Sequence, residues 1–384
     1  MAKNIIFCAD GTWNGDENPN LTNVFKLFNL LQGAAVPRTS FKDISGDIVE
    51  QEKSLIQGIP NLRLNGQVAK YINGVGNSQN KIKKLLGGGF GAGVIERIVR
   101  GYTFISRNYE VGDQIFIVGF SRGAYTARAL AGLIASQGLI ANKFNRGAAE
   151  SYKLGTRAWY HYRKTVKDPN LLVDFSTSVI NLNVWDFLND DQLDKADFIN
   201  NIPIAAVAVW DTVGSMGIPE FNVAENRLID AFRFADTTLS SKIKKGIHAI
   251  ALDEQRLLFT PTLWDAAPNV VQMVFPGAHA DIGGGYPIAH KESGLSDGAL
   301  LWVVEQLQQL GVQFTEDVKL ILPDATAPAH KEWKNLTTGK GIRVFSPQAK
   351  LLAHSSVAMR KGLAAVINAM GETAAKYSPT NWLN

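Results

Sequence analysis

The chain has 384 residues, of which 46% are hydrophobic and 19% are charged, so it can bury the core of a large globular fold. Its net charge of +4 gives no indication of nucleic-acid binding, but it is compatible with peripheral contact with an anionic membrane. A single cysteine excludes a disulfide framework within the chain. Because the sequence shows no signal peptide and no run of about 18 apolar residues, we expect a cytoplasmic protein.

Short apolar runs that end in glycine or aspartate recur along the chain, separated by longer stretches typical of helices. Because these runs are apolar on both faces, they predict parallel strands that are covered by helices. The pattern predicts an α/β fold with a doubly wound, mostly parallel sheet, whose ligand crevice lies at the carboxyl ends of the strands. In chain order the predicted strands are residues 5–9, 68–72, 115–118, 204–210 and 270–275.

Two stretches are predicted to be insertions into a single domain that spans residues 1–384. Residues 33–66 mix glycine, proline and charge with weak periodicity, which indicates an extended loop or a small subdomain. Residues 141–200 place aromatic side chains such as Trp159 and Trp185 among polar residues. This second stretch predicts either a helical cap over the site, which would supply an apolar acyl surface, or a peripheral helical layer.

The pentapeptide Gly119-Phe120-Ser121-Arg122-Gly123 has the form G-x-S-x-G. It follows a predicted strand and precedes a small-residue segment that favours a helix, which is the context of a nucleophile elbow. Gly119 and Gly123 have no side chains, so the end of the strand and the first helical turn can approach closely. We therefore expect an exposed Ser121 hydroxyl near a helix N-terminus.

A serine nucleophile needs a base within hydrogen-bond reach, and the base in turn needs a carboxylate that orients it. Asp211 follows the predicted strand 204–210, and His279 follows the strand 270–275 and Gly277. The order serine, acid, histidine is that of α/β-hydrolases. The sequence thus predicts a Ser121–Asp211–His279 triad, which requires no cofactor.

Each partner of the serine has an alternative. Asp211, which precedes a threonine, is equally compatible with a turn or a helix cap. His354, before Ser355-Ser356, is the rival base, but a strand and a glycine loop position His279 and favour it. His248 lies in an apolar run that predicts a packed helix.

Acyl transfer also requires backbone donors for the oxyanion. The N–H after the nucleophile belongs to Arg122, and the loop after the first strand offers Gly11 or Thr12 as the second donor. An equal alternative for this loop is an ordinary turn in which Asp10 bonds its own backbone.

Nucleotide and metal sites are disfavoured. The glycine-rich residues 87–92 follow no clear strand, and no P-loop lysine comes after them. His279 and Asp281, even with Asp10 or Asp211, form no dense metal-ligand motif.

Together these motifs resemble a known family, the uncharacterised α/β-hydrolase domain family that includes the first family of type VI secretion phospholipase effectors. The residues that carry the resemblance are 10–14, 119–128, 209–214, 251–254 and 275–286, with a weaker echo at 354–356. The resemblance implies an α/β-hydrolase fold and a lipolytic triad at Ser121, Asp211 and His279. It also implies a glycerophospholipid substrate, export by type VI secretion, and a partner from the secretion apparatus or an immunity protein.

The predicted activity is that of a lipase- or phospholipase-type serine hydrolase, which cleaves carboxylic esters through an acyl-enzyme. Two alternatives stay open. One is a hydrolase scaffold that binds a partner without catalysis, and the other is a triad hydrolase of a non-lipid ester, a thioester or an amide.

Overall fold

The computed structural model describes residues 2–11, 21–36, 48–55, 66–74, 90–141, 148–165, 195–213, 237–379 and 381. Within these residues nine strands form one sheet in the order β11-β10-β9-β8-β5-β1-β4-β3-β2, and β6 pairs with β7 separately. The strands are β1 Asn4–Ala9, β2 Ala34–Ala35, β3 Glu50–Leu55, β4 Gln67–Ile72, β5 Gln114–Phe120, β6 Leu139–Ile140, β7 Phe198–Ile199, β8 Ile204–Trp210, β9 Gly246–Ala251, β10 Val270–Phe275 and β11 Leu352–Ala353.

The main sheet is mostly parallel, which confirms the predicted α/β class. From β11 to β4 every neighbouring pair is parallel, and only the edge strands β3 and β2 pair in the antiparallel sense. The order of the strands reverses at β1, which lies between β4 and β5. In an open α/β sheet such a reversal leaves a crevice at the carboxyl ends of the strands, here those of β1 and β5.

Helices cover both faces of the sheet. They are α1 Asn23–Leu30, α2 Phe90–Asn108, α3 Arg122–Gln137, α4 Ala148–Thr165, α5 His279–Gly283, α6 Gly294–Gln309 and α7 Ser355–Gly362. The side chains of α2, α3 and α4 form one apolar core, which includes Ile5 and Phe7 of β1. Those of α1 and α6 form the core on the other face with Ile6 and Cys8. Burial on both faces explains why the strands are continuously apolar.

The prediction of a packed helix over residues 247–252 was wrong, because Gly246–Ala251 form the strand β9. The run is only six residues long and every residue in it is buried. A short run that is apolar all round carries no period that separates a strand from a buried helix. His248 therefore lies in the middle of the sheet, between β8 and β10.

The two predicted insertions are only partly described. In the first, β2 and the polar strand β3 extend the sheet at its edge. In the second, α4 buries Tyr152, Ala158 and Trp159 in the core that it shares with α2 and α3. Residues 142–147 and 166–194, including Trp185, lie outside the described residues, so the cap stays a prediction. No helix in the described ranges is both long enough and apolar enough to cross a bilayer.

Candidate active site

Ser121 occupies a tight turn between β5 and α3. Its φ is 56° and its ψ is −121°, a strained conformation for a residue with a side chain. A Cβ atom on Gly119 would lie 2.3 Å from the carbonyl oxygen of Gly123, and one on Gly123 would lie 2.1 Å from that of Ala9. Only glycine fits both positions. The predicted strand, turn and helix are thus present, and the turn places Ser121 at the N-terminus of α3.

Asp211 follows β8, the neighbour of β5, and is fully buried. Its carboxylate turns toward β9 and β10. Oδ1 accepts a hydrogen bond from the N–H of Ala251 at 2.9 Å, and Oδ2 lies 2.6 Å from Nδ1 of His279. The carboxylate is therefore paired with the imidazole, as the predicted acid of the triad should be.

His279 begins α5 directly after the loop that follows β10. Its ring packs between Phe120 and Phe259, with ring-centroid distances of 4.6 and 4.8 Å. Burial lowers the pKa of His279, and the Asp211 carboxylate offsets this effect only in part. The imidazole is therefore neutral at pH 7. With Nδ1–H donating to Asp211, Nε2 is left unprotonated and able to accept a proton.

The serine and the imidazole are neighbours through Phe120, the residue before Ser121, whose ring packs on His279. Among the described residues, no hydrogen bond joins the Ser121 hydroxyl to the imidazole. In enzymes without substrate such catalytic hydrogen bonds are often long and shorten only in the complex.

The rival base lies elsewhere. His354 is the N-cap of α7, its Nδ1 lies 2.8 Å from the hydroxyl of Ser356, and its ring stacks on Phe275. His248 is also engaged: Nε2 accepts the N–H of Thr212 at 3.2 Å, and burial lowers the pKa of His248 to about 3. The geometry therefore favours His279 as the partner of Asp211.

Asp281 holds the loop that carries His279. Its Oδ2 accepts the N–H of Ala278 at 2.8 Å, and its Oδ1 lies 2.7 Å from Nδ1 of His330. The pKa of His330 is raised, because hydrogen bonds to Asp281 and Glu292 outweigh the effect of burial. Sequence reasoning missed His330, since it lies in an irregular segment without a motif. Over the described ranges, no group of three or more histidine, cysteine or acidic side chains is arranged to hold a metal ion.

The loop after β1 forms the turn in which Asp10 bonds its own backbone, which was one of the two conformations that the sequence allowed. The N–H of Gly11 donates to Oδ1 of Asp10 at 2.6 Å, while Oδ2 of Asp10 accepts the hydroxyl groups of Thr22 and Tyr71 at 2.7 Å each. Gly11 does lie against the nucleophile, because a Cβ on it would be 3.2 Å from Cβ of Ser121. Its N–H is nevertheless used by Asp10, so this geometry does not support Gly11 as an oxyanion donor.

The other two predicted donors differ in what the structure shows of them. Arg122 is the first residue of α3 and directly follows Ser121, which is the position of the backbone donor in a nucleophile elbow. Its N–H therefore remains a candidate donor. Thr12 lies outside the described residues.

Arg343 is a site residue that the sequence analysis did not find. Its guanidinium is buried and donates from Nη1 to Oδ1 of Asp211 at 2.8 Å and from Nη2 to Oδ2 at 2.9 Å. Burial alone would raise the pKa of Asp211, but Arg343 and His279 hold that pKa well below its usual range. Nothing in the sequence around residue 343 marks an arginine that reaches the end of β8.

A sequence model of the family described as T6SS, phospholipase effector Tle1-like, catalytic domain, matches residues 3–306. An uncharacterised Saccharomyces cerevisiae protein, YEL023C, is 31% identical over 267 residues, which are 67% of this chain and 33% of that protein. Two solved structures are similar at 17% identity. An uncharacterised Pseudomonas aeruginosa protein has a TM-score of 0.44, over 84% of this chain and 49% of that one. The Tle1 effector bound to the VgrG spike has a TM-score of 0.35, over 76% and 52%. The chain thus spans about a third of the yeast protein and half of each solved chain.

Proposed function

The chain belongs to the family of Tle1-like phospholipase effector catalytic domains, and on that premise we propose that it is a serine hydrolase of glycerophospholipid esters. The observation that carries the proposal is the buried Asp211–His279 pair, with 2.6 Å between Oδ2 and Nδ1, beside the strained turn of Ser121. All three residues follow parallel strands, whose carboxyl ends meet at one edge of the sheet.

Each residue has a defined role in the proposed reaction. Ser121 Oγ attacks the ester carbonyl while Nε2 of His279 accepts its proton, and Asp211 stabilises the imidazolium that forms. The imidazolium then protonates the leaving alcohol, and water hydrolyses the acyl-enzyme by the same route. The N–H of Arg122 and the positive end of the α3 dipole stabilise the oxyanion, with Thr12 as the candidate for a second donor.

Two segments near the site, one around Leu257 and one around Gly341, are joined by backbone hydrogen bonds and support a lipid substrate. The N–H of Leu257 donates to the carbonyl of Gly339 at 2.9 Å, and that of Gly341 donates to Gln255 at 2.8 Å. One of these segments reaches the site through Phe259, whose ring packs on His279. Four aliphatic side chains in and beside the two segments are exposed, and we call them the outer patch: Leu257, Leu258, Ile342 and Val344.

The outer patch fits an anionic lipid surface. Val344 is 88% exposed and Ile342 is 60% exposed, and the exposed Lys340 adds positive charge beside them. Aliphatic groups next to a lysine bind the headgroup region by burying apolar area and by attracting anionic lipid. A hydrolase of bilayer lipids needs such a surface close to its nucleophile.

The test compares a phospholipid in anionic vesicles with a soluble short-chain ester. We expect the wild type to hydrolyse both. Val344→Asp should lower the vesicle rate about 10-fold and leave the short-ester rate unchanged, because it removes apolar area and adds a repelled charge. The readouts are fatty acid release and co-sedimentation with the vesicles.

Val111 supplies the matched control. It is 86% exposed in the turn before the amino end of β5, whereas Ser121 follows the carboxyl end of that strand, so Val111→Asp should leave both rates unchanged. Equal losses in the two variants would contradict a role for the outer patch. Hydrolysis of the short ester alone by the wild type would contradict the lipid substrate and leave a serine esterase.

Family membership also supports the biological setting that we propose. The protein would be exported by a type VI secretion apparatus, with a component of that apparatus or an immunity protein as its partner. Hydrolysis of a thioester, an amide or a non-lipid ester by the same triad is the alternative, and adding these substrates to the assay separates it from the lipid hydrolase.

A further inference from the structure

Arg343 joins the acid of the candidate triad to the last part of the chain. The residue lies outside the family match at residues 3–306. Its guanidinium nevertheless donates a hydrogen bond to each oxygen of the Asp211 carboxylate. The same two nitrogen atoms donate to the carbonyl oxygens of Ala251 at 2.7 Å and Phe259 at 2.6 Å. Arg343 therefore ties the end of β9 and the segment that packs on His279 to one carboxylate.

The backbone of Arg343 is fixed as firmly as its side chain. Its N–H donates to Oδ1 of Asn381 at 2.9 Å. The amide nitrogen of Asn381 donates in turn to the carbonyl oxygens of Leu252 at 2.7 Å and Glu254 at 2.9 Å. The backbone and the guanidinium of Arg343 are thus both hydrogen-bonded to groups at the end of β9 or in contact with the loop that follows it. The guanidinium therefore has little freedom to leave the carboxylate.

The two-point contact determines the plane of the carboxylate. A guanidinium binds a carboxylate as a rigid fork, so both oxygens of Asp211 are held in one orientation. In that orientation Oδ2 faces Nδ1 of His279 at 2.6 Å. Without the guanidinium, the carboxylate would lose these two hydrogen bonds and the rigid fork that fixes its plane.

We propose that Arg343 is a positioning residue, whose guanidinium orients the Asp211 carboxylate toward His279 and compensates its charge. The inference rests on the proposed serine hydrolase function. The compensation matters because a lone buried carboxylate would stabilise the imidazolium strongly and keep the base protonated. In the described residues, the charged or titratable groups that face the pair are Arg343, Glu254, Arg256 and His248. The buried Asp281 lies next to the pair and accepts the N–H of Ala278.

The pH profile of kcat/KM on a soluble ester tests the proposal. Activity rises as the pH rises through the pKa of His279, which burial lowers from its ordinary value. We call this rise the acid limb of the profile. We expect Arg343→Met to move this limb upward by about one pH unit and to lower kcat about 100-fold, since the cation and the orientation are both lost. Arg343→Lys keeps the charge without the fork. Its limb should stay at the wild-type position while kcat falls about 10-fold.

Arg360 is the matched control, because it is equally buried but donates to the carbonyl oxygens of Ala325, Ala327 and Ile367. Arg360→Met should lower the Tm without moving the limb. Titration with a fluorophosphonate counts the competent enzyme in each sample. A ¹⁵N-histidine NMR titration measures the pKa of His279 without turnover.

The outcomes separate the two claims. The positioning role would be overturned if folded Arg343→Met kept the wild-type kcat and the wild-type pH position of the acid limb. It would also be overturned if Arg360→Met moved the acid limb as far as Arg343→Met does. If Arg343→Met does not fold, a wild-type kcat in Arg343→Lys would overturn it. If the wild type has no serine-dependent turnover, the proposed function fails, and the NMR titration still decides whether Arg343 controls the pKa of His279.

Discussion

Ser121→Ala is expected to lower kcat/KM for ester hydrolysis by about 10⁴-fold or more, because the proposed acyl-enzyme forms on the hydroxyl that this variant removes. The loss should not come from unfolding. The Ser121 side chain makes no capping hydrogen bond to α3, and alanine is small enough for the same turn. The measurements are kcat/KM on a short-chain ester and on a vesicle phospholipid, together with urea unfolding.

Ser136→Ala is the control for this variant, since Ser136 is an exposed serine near the other end of α3. It should keep the wild-type rate on both substrates. If Ser121→Ala kept more than about a tenth of the wild-type rate, the nucleophile would have to be another residue.

Asp211→Asn is expected to lower kcat by about 10⁴-fold and to destabilise the fold by about 3–5 kcal/mol. Asparagine has the size of aspartate but presents an NH₂ group either to the guanidinium of Arg343 or to Nδ1–H of His279, which both donate to the present carboxylate. One buried donor is therefore left without an acceptor. The measurements are kcat and the free energy of unfolding in urea.

Asp265→Asn supplies the comparison, because the exposed carboxylate of Asp265 accepts hydroxyl groups of Thr237 and Thr238 and not the imidazole. It should change kcat by less than about twofold. A destabilised Asp211→Asn protein with a wild-type kcat would show that Asp211 only forms the turn after β8, which is the structural alternative that the sequence left open.

The parts of the site that the sequence predicted are those that depend on local pattern and topology. The elbow follows from two glycines around Ser121, and the position of Asp211 and His279 follows from polar residues at the ends of apolar runs. Because these runs are parallel strands of one sheet, residues far apart in sequence meet at one edge. The triad could be proposed without knowing the order of the strands.

The parts that the sequence did not predict depend on contacts that no local pattern encodes. Arg343 reaches Asp211 from an irregular segment, and His330 reaches Asp281 in the same way. The Gly11 N–H was predicted to donate either to the oxyanion or to Asp10, with no preference between the two. Only the position of the Asp10 carboxylate decides between these alternatives. The strand β9 was missed because six buried residues have the same pattern in a strand and in a buried helix.

The Ser121 nucleophile is tested most directly by labelling with a serine-directed fluorophosphonate, followed by mass spectrometry of the digested protein. We expect one adduct, on the peptide that contains Ser121, and no adduct in Ser121→Ala. Absence of labelling in the folded wild type, or an adduct on a different serine, would contradict a Ser121 nucleophile. The first of these results would instead favour a hydrolase scaffold that binds a partner without catalysis.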